Sequence, residues 1–518
     1  MTSATSTSRA AVGMGAATAV SRVLGFVRVL VVAGVLGTTY LGNAFQSANS
    51  VSNVLFELLA AGALSAVLVP MFVELLDRGD QAAAERLAGA ILGAALLGLG
   101  AITIVGVLAA PLLATVLTSG VPADVLDAQR ELTTHLLRFF VPQLLLYAAG
   151  TVATAVLHAK RRFAVTAVAP IGNTVVMVAA LIALRVLTGP DPGFELSTME
   201  RALLVVAGTG GVVGFVAVLL VACEASGFKL RPRLPRREPA VGDALRHSGW
   251  GAVLHSGSGL LLGGAIVAGA AVEGGVVAYQ VGWVFFLAPY AVLAQPIHTT
   301  ILPELVAEAD RPEVFAASMR WAIERMALLV LPVAAGLAVV AWPALRVVAF
   351  GETGPEGAGL IAAAIAGLAV GLLPYSVFLL LARGFYALGD SRTPGLVALV
   401  TAAVGVVVMV LGALAADGEA LVALLGLGHS AAFAVGAAWL GVLLGRRLGA
   451  PLVPRAVGRA AAVVVVATIV TLVTVRPFDD ATTARDIVDS IAAAALIGAI
   501  VLGGYRLLGV QRALTVRA

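Results

Sequence analysis

Charged residues and cysteine are scarce in this chain. Of its 518 residues, 12% are charged and one, Cys223, is a cysteine. A single cysteine excludes an intrachain disulfide and a cysteine-rich metal site, so we expect it to fill apolar space. So few charges cannot coat a water-soluble globule of this length. The chain is therefore predicted to lie in a membrane.

Catalytic signatures are missing as well. The sequence contains no H-E-x-x-H, P-loop, C-x-x-C, G-x-S-x-G or Rossmann fingerprint. The net charge of +4 is modest, and its basic residues gather in particular loops, which indicates membrane orientation and not nucleic-acid binding. We therefore predict no enzyme, no cofactor, no metal site and no nucleic-acid partner.

What the chain has in abundance is apolar sequence, with 60% hydrophobic residues and a mean hydropathy of +1.02. Apolar stretches of about 20 residues or more recur from end to end, which is the length of an α-helical span and too long for a barrel strand. The predicted fold is an all-α polytopic membrane protein with about fourteen transmembrane helices. We place them near residues 11–37, 44–76, 84–117, 132–157, 163–188, 202–226, 246–270, 275–305, 317–350, 358–387, 394–415, 419–445, 456–475 and 486–509.

The loops between these spans alternate in charge. Basic loops include "HAKRRF", "GFKLRPRLPRREPA" and "GRRLGAPLVPR", whereas "TSGVPADVLD", "TGPDPGFELSTME" and "FGETGPEG" are acidic or neutral. The positive-inside rule assigns the basic loops to the cytoplasm. With an even number of helices, both termini are predicted to be cytoplasmic.

An internal repeat divides the predicted helices. "ALSAVLVPMFVE" resembles "IHTTILPELVAE", with Pro70 and Pro303 in equivalent places, and "LHAKRRF" occupies the position of "YALGDSRTP". Both pairs are offset by about 230 residues, as a duplicated six-helix unit requires. An even helix number makes the repeats parallel, related by a pseudo-two-fold axis along the membrane normal. The predicted parts are a six-helix lobe (1–228), a basic cytoplasmic linker (229–245), a second six-helix lobe (246–447), and two additional helices with a tail (448–518).

Two arginines, Arg22 and Arg28, lie inside the first apolar run, "SRVLGFVRVLVVAGVLG". A central arginine costs about 2.5–3.5 kcal/mol on insertion scales, so each needs protein or water around it. One hypothesis is that both face a hydrated cavity and bind phosphate-like groups through their forked donors. The alternatives are that they extend to the membrane surfaces or pair with Glu57.

The second predicted helix has a polar face. Its polar residues recur at three- and four-residue spacing and must meet protein or water, so we expect them to line the cavity: Asn43, Gln46, Asn49 and Asn53. Glu57 is either an ion-pair partner for an arginine or a proton or cation site. Weaker candidates are Arg138, Gln143, His255, Glu273 and His298. Asn173, in "APIGNTVV", is expected to form an interhelical hydrogen bond.

Several of these stretches resemble a known family. "SRVLGFVR", "NAFQSANSVSNVLFELLAAGALSAVLVPMFVE", "LAPYAVLAQPIHTTILPELV" and "RGFYALGDSRTP" are similar to the MurJ/MviN family of lipid II flippases, within the multidrug/oligosaccharidyl-lipid/polysaccharide exporter superfamily. The resemblance implies a cationic central cavity that binds the pyrophosphate and sugars of lipid II, and a groove made with the last two helices for the polyprenyl tail. Arg22 and Arg28 stand where the family has its two first-helix arginines, and Asn53 matches the asparagine of P-N-L-L-R-R.

The chain also departs from the family pattern. Asn43 replaces an aspartate, Phe56 and Glu57 replace an arginine pair, and the usual A-D-R-L of the eighth helix is Gly282, Trp283, Val284 and Phe285. The resemblance implies a lipid-linked peptidoglycan precursor as substrate, with membrane lipids and cell-wall synthesis proteins as partners, in a bacterial cell membrane. Two alternatives stay open: export of another polyprenyl-linked saccharide or an amphiphilic drug, and a non-transporting scaffold for cell-wall synthesis.

Overall fold

The computed structural model describes residues 20–21, 23–56, 62–189, 193–234, 239–348, 351–475 and 483–510. Every regular element in these ranges is helical. The chain divides into two compact units that meet in sequence between Gly259 and Leu260, inside one long helix. The lobe boundary predicted at residues 229–245 remains a prediction.

Within its described residues, the first unit contains ten helices and the beginning of an eleventh. They are α1 (Val23–Leu36), α2 (Tyr40–Phe56), α3 (Gly62–Asp77), α4 (Gln81–Leu108), α5 (Ala110–Leu117), α6 (Leu126–Phe140), α7 (Gln143–Ala159), α8 (Phe163–Thr188), α9 (Thr198–Val205), α10 (Gly211–Ala225) and α11 (Pro239–Gly269).

The second unit begins in α11. The helices that follow in its described residues are α12 (Gly275–Pro289), α13 (Gln295–Ala307), α14 (Pro312–Val348), α15 (Gly354–Ala369), α16 (Leu372–Ala387), α17 (Arg392–Ala415), α18 (Gly418–Leu448), α19 (Arg455–Val475) and α20 (Thr483–Leu507). Helices α19 and α20 pack on α14 around a shared apolar core.

Several predicted spans are interrupted helices. The span predicted at 84–117 breaks at Ala109, two residues before Pro111, and the 358–387 span bends by 47° between α15 and α16. Proline lacks the backbone N–H and crowds the preceding turn, which explains a break beside it. Short π-helical segments, Val206–Gly210 and Tyr290–Ala294, join α9 to α10 and α12 to α13.

Most predicted spans match helices in the described ranges, but the total number of spans is not tested. Ten continuous helices in the described ranges are long and apolar enough to cross a membrane, and the bent α15–α16 pair makes eleven. Two shorter apolar helices, Val23–Leu36 and Ser256–Gly269, match further predicted spans. The remaining span, 44–76, includes residues 57–61, which lie outside the described residues. The count of fourteen therefore remains a prediction.

Within the described ranges, six helices end in the same kind of turn. In each, a residue with left-handed φ donates its N–H to the carbonyl three residues back, and the next residue donates to the carbonyl five back. This is the Schellman arrangement, and glycine favours it because a Cβ penalises positive φ. The left-handed residues are Gly79, Arg161, Gly227, Gly389, Gly449 and Gly509. Arg161, with a φ of 58°, is the non-glycine among them.

The turn before α17 is held by Asp390. Its carboxylate accepts the Thr393 N–H (3.0 Å) and the Thr393 hydroxyl (2.7 Å), and Arg447 Nη1 lies 3.7 Å from Asp390 Oδ2. Partial burial acts to raise the pKa of Asp390, but these hydrogen bonds and the Arg447 charge together hold that pKa below its ordinary value. The basic loop that follows α16 thus has an ionised anchor.

Glycine pairs bring two helices together in each unit. A Cβ built on Gly172 of α8 would lie 2.5 Å from the Gly214 carbonyl oxygen of α10, and one on Gly214 would lie 2.6 Å from the Gly172 oxygen. Gly405 of α17 and Gly428 of α18 repeat the arrangement at 2.7 and 2.8 Å. Small residues permit such backbone contact, which supplies the packing that lipid-exposed helices cannot obtain from the hydrophobic effect.

Candidate functional site

Arg28 lies on α1, half-buried against α8. Its Nη1 donates a hydrogen bond to Asn173 Oδ1 at 3.1 Å. Asn173 is ten residues, about 15 Å, from the start of the 26-residue α8, and so lies near the middle of that helix. The expected interhelical hydrogen bond of Asn173 is therefore present, and its partner is the arginine that the first helix carries inside its apolar run.

Little space is left between the Asn173 side chain and helix α10. A Cβ built on Gly211, at the start of α10, would lie 3.0 Å from Asn173 Oδ1. The absence of a side chain at this position leaves the amide oxygen room to face Arg28. A neutral amide orients the guanidinium without neutralising its charge.

A second polar contact lies beside the first. The Tyr147 hydroxyl, on α7, donates to Asn53 Oδ1 on α2 at 2.8 Å, and Tyr147 interacts electrostatically with Arg28. Polar groups from α1, α2, α7 and α8 thus come together in the first unit. Tyr147 was not among the sequence candidates; its only signal is a lone phenol in the apolar run "LLLYAAG".

The polar face predicted on α2 changes character along the helix. Asn43 is fully buried and Gln46 nearly so, whereas Asn49 and Asn53 are half-buried. Helix α2 packs on α6, where the rings of Phe45 and Phe140 meet edge to face with centroids 5.6 Å apart. The beginning of the stripe therefore meets protein, and its later residues are the ones with access to a ligand.

Two predicted site residues, Arg22 and Glu57, lie outside the described residues. Their roles remain predictions, and so does the convergence of Arg22 with Arg28. Among the described residues, no carboxylate forms an ion pair with Arg28, and its side-chain hydrogen bond goes to the neutral Asn173 amide.

Two of the weaker candidates pack as structural residues. Gln143 is fully buried and donates from Nε2 to the hydroxyl of Thr209 at 3.1 Å, on the π-helical segment before α10. His298 is buried between Tyr290, whose hydroxyl lies 3.4 Å from Nδ1, and Met326, whose sulfur lies 3.2 Å from Nε2. Glu273 is exposed, and the side chain of His255 is outside the described set.

The second unit carries an aromatic cluster on α12, α16 and α18. It surrounds His429, whose ring centroid lies 4.4 Å from that of Trp283 and 4.9 Å from that of Phe433; the other members are Tyr279, Phe286 and Tyr375. The Tyr279 hydroxyl and His429 Nδ1 are 2.9 Å apart. Trp283 belongs to the stretch that departs from the family's A-D-R-L, so a largely buried aromatic cluster, with Trp283 and Tyr375 half-buried at its edge, occupies this stretch.

Arg383 on α16 is a further half-buried cation that the sequence candidates omitted. It interacts electrostatically with Tyr290, His298 and Tyr386. No hydrogen bond or ion pair joins Arg383 to another residue in the described ranges. Arg383 lies one turn before the end of α16 and close to the loop "GDSRTP", so the sequence alone does not distinguish it from a loop cation.

The described part of the chain contains no group of three His, Cys, Asp or Glu side chains that could hold a metal ion. The polar groups that it does bring together in the first unit are arginine, amide and phenol. Groups of these types can donate hydrogen bonds to an anion, and they are not a usual metal-ligand set.

The fold matches those of solved membrane transporters, one of which is described as a member of the MOP superfamily. It matches a solved structure described as lipid II flippase MurJ in an inward closed conformation, with a TM-score of 0.72 and 16% identity, over 96% of this chain and 99% of the other. An inward-facing multidrug-resistance MATE family transporter of that superfamily matches with a TM-score of 0.65 and 14% identity, over 83% and 94%. Likeness at this level of identity establishes the fold.

The family model "Lipid II flippase MurJ" matches residues 32–499, and the chain belongs to this family. It is 28% identical over 387 residues to the "Probable lipid II flippase MurJ" of Rhizobium tropici, covering 74% of this chain and 71% of the relative. It is 26% identical over 415 residues to the "Lipid II flippase MurJ" of Burkholderia cenocepacia, covering 77% and 76%. The family and the apolar helices make it a multi-pass inner-membrane protein of a transporter family.

Proposed function

We propose that this chain translocates lipid II, the undecaprenyl-pyrophosphate-linked peptidoglycan precursor, from the cytoplasmic to the outer leaflet by alternating access. The proposal depends on one observation: the half-buried Arg28 of α1 donates a hydrogen bond to the neutral amide of Asn173, which lies near the middle of α8. A neutral partner leaves the guanidinium charge available for a substrate anion, whereas a carboxylate partner would cancel it. Membership of a lipid II flippase family supports the choice of substrate.

Arg28 has the chemistry that a pyrophosphate needs. A guanidinium offers several N–H donors in a rigid fork, which matches two phosphoryl oxygens at once. In the proposed site Asn173 positions Arg28, and Asn53 is oriented by the Tyr147 hydroxyl. Four further residues complete the proposed substrate-binding set: Arg22, Asn43, Asn49 and Glu57. Asn43 is fully buried, so its proposed role is indirect: it supports the position of α2.

The proposed architecture follows the charge pattern of the loops. Both termini are cytoplasmic, residues 1–228 and 246–447 form the two lobes that rock, and residues 229–245 form the basic linker between them. The last two helices, in residues 448–518, are proposed to bind the polyprenyl tail. Outward-facing and inward-facing forms then expose the bound headgroup to one leaflet at a time.

A reconstituted translocation assay tests the proposal. Fluorescent lipid II in proteoliposomes becomes accessible to an external quencher as it crosses, and the initial rate is measured for Arg28→Ala and Arg28→Lys. Losing a charge-assisted contact of about 1.5–3 kcal/mol should slow translocation by about tenfold or more, and Lys should retain part of the rate because it keeps the charge but not the fork. Arg86→Ala, an exposed arginine on α4, is the matched control.

Unchanged lipid II translocation by folded Arg28→Ala protein would overturn the assignment of Arg28. In cells, depletion of the protein should hold lipid-linked precursor on the inner leaflet. Continued flipping after complete loss of the protein would contradict the function itself.

The half-buried rings of the aromatic cluster, Trp283 and Tyr375, favour a second candidate function, export of another polyprenyl-linked saccharide or an amphiphilic drug. Aromatic faces bind flat apolar groups and sugars without requiring a phosphate. A binding screen that finds drug affinity and no lipid II affinity would support it.

Cell-wall synthesis proteins are the proposed protein partners, contacted through the basic loops. If the chain acted only as their scaffold, cells would tolerate Arg22→Ala and Arg28→Ala together but not deletion of those loops. If the chain is a flippase, cells should not tolerate the loss of both arginines.

A further inference from the structure

The first unit holds a polar cavity that has no part in the site around Arg28. Its volume is about 500 Å³, and its charged lining consists of Asp127, Arg130, Glu131, His135, Arg138 and Arg201. Five of these residues belong to α6, and Arg201 comes from α9, which packs beside it. The cavity therefore lies against one face of a single helix.

The sequence of α6 explains this face. Asp127, Glu131, Thr134 and Arg138 recur at spacings of four, three and four residues, which places them on one side of an α-helix. The opposite side of α6 is buried, with Leu132, Leu136 and Phe140 inside the protein. Helix α6 thus presents a polar stripe that no apolar packing covers.

Arg201 is fixed in place from two directions. Ser197 and Glu200 form a reciprocal capping box that starts α9 one turn before it. In addition, Arg201 Nη1 donates a hydrogen bond to Glu131 Oε1 at 2.7 Å, and this contact joins α9 to α6. The ion pair satisfies Glu131 and leaves the other guanidinium nitrogens of Arg201 free to bind a ligand.

The remaining charges of the cavity are predominantly positive. Arg130 makes a long contact from Nε to the Thr118 hydroxyl, at 3.4 Å, and within the described ranges neither Arg130 nor Arg138 pairs with a carboxylate. Three guanidinium groups therefore face two carboxylates, one of which is already paired. This balance favours an anion, and arginine binds phosphate oxygens bidentately.

The position of the cavity relative to the lipid indicates the kind of anion. Helices α6 and α7 together form one candidate membrane span of 34 residues, about 51 Å at 1.5 Å per residue, which exceeds the hydrocarbon thickness of about 30 Å and leaves its charged end room to extend beyond it. On α5, beside the lining residue Pro111, Leu112 and Val116 are 68% and 51% exposed, as expected of side chains that meet acyl chains. We therefore expect the cavity to adjoin lipid tails at a polar helix end.

We propose that this cavity binds the phosphate group of a lipid in the outer leaflet, with Arg130 and Arg138 as the principal contacts and Arg201 as the oriented third. The charge-derived orientation of the chain assigns this end of α6 to the outer side. The proposal concerns binding alone, so it does not depend on which substrate the chain translocates.

The test uses the full chain in phosphatidylcholine nanodiscs with a trace of spin-labelled phosphatidylglycerol. Electron paramagnetic resonance measures the immobilised fraction of the labelled lipid. The double variant Arg130→Gln with Arg138→Gln should weaken phosphatidylglycerol binding by about tenfold, Arg138→Gln alone by less, and Arg138→Lys least because it keeps a charge. Arg86→Gln, an exposed arginine outside the cavity, should change nothing.

Competition identifies the source of the phosphate. Displacement of the label by undecaprenyl diphosphate at lower mole fractions than by unlabelled phosphatidylglycerol would assign the site to a diphosphate lipid, and equal displacement would assign it to phospholipids in general. Equally effective displacement by soluble pyrophosphate would overturn a lipid-borne ligand.

Unchanged immobilisation in the double variant, or an equal loss in Arg86→Gln, would overturn the site itself. The thermal unfolding midpoint of each variant shows whether it is folded. Arg201→Gln supplies a further folded variant if the double variant is not, and it too should weaken binding. Because the assay measures no translocation, its failure would leave the role of Arg28 to the separate flux measurement.

Discussion

Each unit contains a half-buried arginine, and the two arginines have different neighbours. In the first unit Arg28 is held by the Asn173 amide and lies near a phenol that itself orients Asn53. In the second unit Arg383 lies among Tyr290, Tyr386 and His298, and Tyr290 packs against Tyr375 of the aromatic cluster. Helical units with similar packing therefore differ in chemistry, since one surrounds its arginine with a hydrogen-bonding amide and the other with aromatic rings.

The packing of the two units is more alike than their polar residues. Both use a glycine pair to bring two helices into backbone contact, Gly172 with Gly214 and Gly405 with Gly428. Breaking these contacts should have the largest effect. Gly172→Val and Gly405→Val should each destabilise the protein by about 3 kcal/mol or more, because the new side chain meets a rigid carbonyl instead of a flexible neighbour.

Thermal unfolding of the purified variants measures this effect. Gly98→Val on α4 is the matched control, since a Cβ there meets nothing within 4 Å. If only one of the two variants is destabilised, the packing of the units is less alike than the distances indicate. If neither is, the close approach does not support the fold.

The two arginines should also differ in how a change beside them affects transport. Asn173→Asp places a carboxylate beside Arg28 and should reduce lipid II translocation by about tenfold, since an ion pair competes with the substrate phosphate for the guanidinium. Asn173→Leu removes the orienting bond but leaves the charge free, so it should reduce the rate less. The initial rate in the proteoliposome assay measures both.

The corresponding change beside Arg383 provides the comparison. Tyr290→Phe removes a hydroxyl near Arg383 without adding charge, and its effect on lipid II translocation should be smaller than that of Asn173→Asp. Equal rates for Asn173→Asp and the unmodified chain would show that the charge of Arg28 is not used.

The smallest effect is expected in two equivalent turns. Arg161 in the first unit and Gly389 in the second both adopt left-handed φ, at 58° and 75°. Arg161→Gly should stabilise the protein and Gly389→Ala should destabilise it, each by about 1 kcal/mol, because a Cβ is disfavoured at positive φ. Shifts of opposite sign in the unfolding midpoint would confirm the equivalence, and shifts of the same sign would break it.

Much of the fold was accessible from the sequence because hydrophobic length and loop charge act locally. The predicted span at 163–188 coincides with α8, and the one at 394–415 differs from α17 by two residues at its start. The interruptions were less accessible. The π-helical segments before Gly211 and Gln295 lie in apolar sequence that hydropathy does not distinguish from regular helix.

Some residues of the candidate site were likewise predictable from the sequence and others were not. Arg28 was identifiable because charge in an apolar run is costly, and Asn173 because an amide there needs a partner. Tyr147 and Arg383 were missed, since a phenol is common in membrane helices and Arg383 adjoins a basic loop. Gln46, expected to line a cavity, is instead nearly buried, because the side of α2 that it occupies is covered by neighbouring helices.

By itself, the sequence determined that this protein is helical, resides in a membrane and places a cation inside its first helix, because these properties depend on the free energy of transferring each segment into lipid. Only the tertiary structure decided that Arg28 meets the amide of Asn173 and that three arginines surround the cavity on α6. Those partners lie up to 145 residues apart along the chain, and helix packing, not transfer energy, brings them together.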